Sequence, residues 1–216
     1  MFTSILSLIF AGLLLRQYIQ RRKIHQIMWT IALLFYGIST LMELLMNSEI
    51  LGFNVCIFSI FYITATSLVG FLGAGQLYLV LKNKLSHIFL GFVIIFSALL
   101  LVALIFTPFP TGLSFIGDLG EDIRIISSGY PMSVRIYAIV LASVGGVVLL
   151  VGSLYSFIRD RSRYYVLFFT LGAIFPLLRN RPFGYLGNEL AGVISLLIGY
   201  LLSMLYIKRQ NSKITD

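Results

Sequence analysis

Charged residues divide this chain into long uncharged runs, over 1–15, 24–42, 50–81, 85–117, 136–158, 164–178 and 190–207. Most approach or exceed the length a helix needs to cross a bilayer, about 20 residues with roughly 17 to 25 tolerated. The pattern predicts an all-α fold of seven transmembrane helices at about 2–19, 25–46, 53–81, 86–107, 134–158, 164–179 and 187–207. Together they make one membrane domain over 1–207, with a long external loop at 108–133 and a polar tail at 208–216. The runs 50–81 and 85–117 are too short for two crossings and a turn, so each holds one tilted helix.

Orientation follows from the short loops. With the N-terminus outside, Arg16, Arg21, Arg22, Lys23, Lys82, Lys84, Arg159, Arg161, Arg163, Lys208, Arg209 and Lys213 lie inside, as cytoplasmic loops of membrane proteins favour. Phe2–Leu15 has its positive charge after the apolar run instead of before it, which predicts a retained first helix, not a cleaved signal. The C-terminus falls in the cytoplasm and the protein in the cell membrane.

Composition agrees: 59% of residues are hydrophobic and 11% charged, too little polar surface for a water-soluble globule. The formal charge of +8 sits in clusters beside apolar helices, which points to membrane lipids as partners and away from nucleic acid. The single cysteine, Cys56, allows no intrachain disulfide and reads as a small buried hydrophobe. No cofactor or metal is implied, since His25 and His87 both sit at inner helix ends and read as interfacial. No Asp lies in a spanning run, which excludes paired-aspartate proteolysis, and no glycine pattern marks a phosphate loop.

Small residues at four-residue spacing predict close helix packing: Thr66, Gly70 and Ala74 in the third helix, Ala191, Ser195, Gly199 and Ser203 in the seventh, and Ala142 with Gly146 and Gly145 with Gly152 in the fifth. These helices are expected at the centre, and a homodimer face or a membrane-protein partner is the alternative use of the same surfaces. Seven helices with the N-terminus outside invite comparison with known groups. A retinal Schiff base is excluded by the absence of Lys from 190–207, and helix seven lacks the Asn-Pro step typical of G-protein-coupled receptors. The proline-bearing helices of the seven-helix sugar transporters are also missing, because helices one, two, three, five and seven have none.

Four basic residues fall on the unexpected side: Arg124, Arg135, Arg179 and Arg181. Glu43 lies inside the second helix, on one face with Tyr36 and Thr40, and carboxylates at such depth commonly face the bundle. Asn54, Tyr62 and Thr66 extend that lining from helix three. Asn188 reads as an N-cap of the seventh helix, with Gly184 and Gly187 in the preceding turn and Glu189 in the first helical turn. These residues predict an outer polar vestibule in which Arg135, Arg179 or Arg181 holds an anionic group and Glu43 or Glu189 carries a proton or meets a cation. The expected function is binding of a small or amphipathic ligand, or a lipid, as a sensor, carrier or accessory protein. A structural or assembly subunit is the alternative, and an intramembrane lipid-modifying enzyme stands third because the carboxylates and arginines fit no defined reaction.

Overall fold

The computed structural model describes residues 2–46, 54–81, 84–108, 129–161, 164–175 and 184–215. These residues form seven α-helices and no strand: α1 Phe2–Arg21, α2 Ile24–Met46, α3 Val55–Val80, α4 Lys84–Phe106, α5 Met132–Arg159, α6 Tyr165–Ile174 and α7 Gly184–Thr215. Among the described residues five segments are long and apolar enough to cross a membrane, namely Thr3–Arg21, Ile24–Met46, Val55–Val80, Lys84–Phe106 and Met132–Arg159. Residues 109–128, where Arg124 falls, and the segment with Arg179 and Arg181 lie outside the described residues.

Two compact units divide the chain, Met1–Val148 and Leu149–Asp216. In the first, α3 is the organising element. Every residue from Ser67 to Gln76 is buried, so this helix is enclosed on all sides. Its contacts fix the phase of its neighbours. Phe71 meets Phe35 of α2 edge to face at 5.5 Å, and Gly75 lies against the Trp29 indole, which sets α2 antiparallel on that side. Val93 of α4 packs on Gly70. The side toward α5 is built from Gly70 and Gly73, where a Cβ on Gly73 would stand 2.6 Å from the Gly145 carbonyl oxygen. Only glycine permits backbones this close. α1 packs on α2 through a stripe of Ser4, Ser7, Ala11, Leu14 and Gln17, and the Ser4 hydroxyl donates to the Gly37 carbonyl at 2.9 Å. α4 buries a single line, Ser86, Val93, Leu100 and Leu104, and is peripheral.

In the second unit α6 and α7 pack antiparallel. Gly172 lies against Leu196, and a Cβ on Gly199 would stand 3.0 Å from the Tyr165 carbonyl oxygen. Thus Gly70, Gly145 and Gly199 are at helix contacts, as their spacing implies. Central placement is seen for α3 alone, because α5 keeps Ile136, Ile139, Val147 and Val151 exposed and α7 keeps Ile194, Leu201 and Leu205 exposed. A small residue marks where one neighbour comes close, not how many neighbours there are.

Three expectations are corrected. Cys56 is exposed. Asn54 caps α3, its side chain accepting from the Cys56 amide at 2.8 Å, so Cys56 sits in a first turn that has no preceding turn to cover it. Asn188 is not an N-cap: α7 already begins at Gly184, leaving Gly184 and Gly187 helical, Asn188 fully buried and Glu189 beyond the first turn. A charge ends an uncharged run without ending the hydrogen-bonded backbone. For the same reason the tail from 208 is helical through Thr215.

Candidate functional site

The sequence-selected residues of the first unit fall on two different seams. Tyr36, Thr40 and Glu43 are buried on α2, at 2%, 6% and 3% exposure. Glu43 shares the helix face of Trp29 and Tyr36, the face turned to α3. The Thr40 hydroxyl is spent on its own helix, donating to the Tyr36 and Gly37 carbonyls at 3.0 and 3.2 Å. Thr66 does the same toward Tyr62 at 2.7 Å. Back-bonded hydroxyls of this kind satisfy themselves and have little left for a ligand.

Tyr62 lies elsewhere. It precedes Phe71, which faces α2, by about two and a half helical turns, so it emerges on the opposite side of α3. That side is the α5 side, and Arg135 of α5 is near enough for its charge to act on Tyr62. The body of α3 therefore separates Glu43, Tyr36 and Thr40 from Tyr62 and Arg135. Arg179 and Arg181 lie outside the described residues, as does the side chain of Glu189.

Around Tyr62 the structure adds residues that charge pattern alone did not single out. Phe58, fully buried one turn before Tyr62, stacks on it at 5.9 Å between ring centres with 24° between planes. Tyr130, two residues before α5, lies nearly parallel to both rings, at 6.1 Å and 13° from Phe58 and at 5.9 Å and 28° from Tyr62. Three near-parallel rings form a shelf, with Phe61 6.0 Å from Phe58 at its margin. The i, i+4 spacing of Phe58 and Tyr62 is the sequence signal for it. A hydrogen bond joins Tyr130 to Ser59. Burial pushes the Tyr130 phenol above its usual range, and the bond to Ser59 offsets part of that shift.

No protein-family model, curated protein or solved structure matches this chain. The chemistry must therefore be read from the site itself.

Arg135 occupies the first turn of α5, after Pro131, whose carbonyl accepts from Val134 at 3.0 Å and from Arg135 at 3.2 Å. Proline suits this position because its missing N–H would have no helical acceptor there. A cation in a first turn opposes the helix dipole by about 0.3–1 kcal/mol, and no acidic residue in that turn offsets it. The half-buried Arg135, the positive end of the helix dipole and Tyr62 thus lie near one another, beside an aromatic surface. Such a combination is chemically suited to an anion attached to an apolar body.

The histidines are paired with aromatic side chains. His87 Nδ1 and the Tyr78 hydroxyl are 2.6 Å apart, and His25 meets Trp29 edge to face at 5.3 Å. Among the described residues no group of three His, Cys, Asp or Glu side chains could hold a metal ion.

Proposed function

We propose that this is a multi-pass protein of the cell membrane, N-terminus outside and C-terminus cytoplasmic, that binds the anionic headgroup of a lipid or similar amphiphile in its outer half. The observation that supports the reading is Arg135, a first-turn cation with no acidic residue in that turn, whose charge lies near Tyr62 on the stacked shelf of Phe58 and Tyr130. The headgroup would supply the charge that both the guanidinium and the helix terminus favour. The apolar portion would lie against the rings, with orientation set by few polar groups and contact area by many apolar atoms. The original vestibule is thereby narrowed to Tyr62 and Arg135 with new neighbours, and Glu43 belongs to another seam. Sensor, carrier and accessory roles are all served by such a site.

Binding is measured by native mass spectrometry of the detergent-solubilised protein titrated with short-chain phosphatidylglycerol and, separately, phosphatidylcholine. A hydrogen bond to a charged group contributes about 1.5–3 kcal/mol, so Arg135→Gln is expected to weaken phosphatidylglycerol binding at least about tenfold. Binding of phosphatidylcholine is expected to change far less. Equal retention of phosphatidylglycerol by wild type and variant would overturn the reading.

Orientation has its own test. Cys56 is the single cysteine and is exposed at the start of α3, which the proposed topology places outside. A membrane-impermeant maleimide is expected to label intact cells at Cys56, while Lys213→Cys in a Cys56→Ala background labels only after permeabilisation. The opposite pattern would invert the topology.

A further inference from the structure

The face of α3 that carries the shelf continues past the glycine crossing. Phe58, Tyr62, Val69, Gly73 and Gln76 follow one another at helical spacing, and Gln76 stands about five whole turns beyond Phe58 at the same angular position. Gly73 meets Gly145 along this line, where a Cβ on Gly145 would lie 2.8 Å from the Gly70 Cα. Gln76 comes next and is fully buried. Its amide nitrogen and its amide oxygen both lack a hydrogen-bond partner among the described residues. A carboxamide offers two donors and two acceptor lone pairs, and buried polar groups of this kind are almost always satisfied. An apolar side chain at this position would pack without such a cost.

From this juxtaposition we infer that the glycine seam between α3 and α5 holds a bound water at Gln76. The ligand must accept from an amide N–H, must donate to an amide oxygen, and must be small, because the neighbouring glycine crossing brings two backbones together. Water meets all three requirements, and internal waters characteristically sit on buried groups with two to four polar contacts to fill. The site is separate from the Arg135 locus, which lies on the other side of the Gly73–Gly145 crossing.

The test uses the full-length protein in lipid nanodiscs with nitrogen-15 glutamine. Water-to-amide magnetisation transfer is recorded, with the Gln76 resonance assigned by its loss in Gln76→Leu. A persistent transfer peak at the Gln76 side-chain amide is expected, and Gln76→Leu, which forfeits the bound water, is expected to lower the thermal midpoint by about 3–5 °C. Absence of the transfer peak, or a midpoint raised in Gln76→Leu because a stranded amide has been removed, would overturn the inference. If Gln76→Leu fails to accumulate, Gln76→Met supplies the same assignment and the same midpoint comparison.

Discussion

Gly145→Leu is expected to destroy the folded protein or lower its thermal midpoint by about 10 °C, the consequence of at least about 3 kcal/mol of overpacking in a chain of this length. The reason is local and steric. A side chain at 145 would begin 2.8 Å from the Gly70 Cα and 2.9 Å from the Gly70 nitrogen. Those atoms are backbone within an enclosed helix, so nothing flexible can give way, and α5 would have to leave α3. Leaving α3 also removes Arg135 from Tyr62. The matched control is Gly91→Leu, since a Cβ at Gly91 meets nothing within 4 Å. Thermal denaturation read by size-exclusion chromatography in detergent compares the two; a Gly145→Leu protein as stable as Gly91→Leu would show that the crossing tolerates bulk.

The second large effect concerns the shelf. Phe58 is fully buried and touches Phe61, Tyr62 and Tyr130. Truncation to alanine removes the ring and leaves a cavity, a change that costs about 3–5 kcal/mol in well-packed interiors. Phe58→Ala is therefore expected to lower the midpoint by about 10 °C and to weaken the near-ultraviolet circular dichroism of the stacked tyrosines. Phe58→Leu keeps much of the volume and is expected to recover most of the stability without the ring stacking. If the dichroism of Phe58→Ala matched that of wild type, the rings would not be coupled as described.

Much of this architecture is legible in the distribution of charge and small residues. Seven helices follow from the uncharged runs, although α1 continues through Arg16 to Arg21 and α4 ends at Phe106, well before the next charge at Asp118. Helix ends were less legible. Asn54 begins α3 as a cap, yet Asn188 with similar chemistry is buried inside α7, and the difference lies in tertiary contacts that no local pattern encodes. Arg135 is legible because the topology expected from the charge pattern puts it on the side where basic residues are disfavoured. Phe58 and Tyr130 are not, since aromatic residues are abundant here and nothing in their types distinguishes three that stack. Gln76 escaped notice for a different reason: an uncharged amide does not interrupt an apolar run, although in a buried helix it is as demanding of partners as a charge. The supposed convergence of Glu43 with Tyr62 failed on angular phase, since polar residues at one depth can still emerge on opposite sides of an enclosed helix.

Arg22 closes α1 with φ of 49°, a left-handed conformation usually left to glycine, and its N–H donates to the Tyr18 carbonyl at 2.6 Å. Only Arg22 and Lys23 separate α1 from α2, and the two helices already pack through Ser4 and Gly37. A joint this tight makes the first two helices a pre-formed hairpin. The Arg21–Arg22–Lys23 triplet is the pivot of that hairpin, so three positive charges crowd one end of the pair. The angle at which α1 leaves α2 is then set by a single backbone torsion.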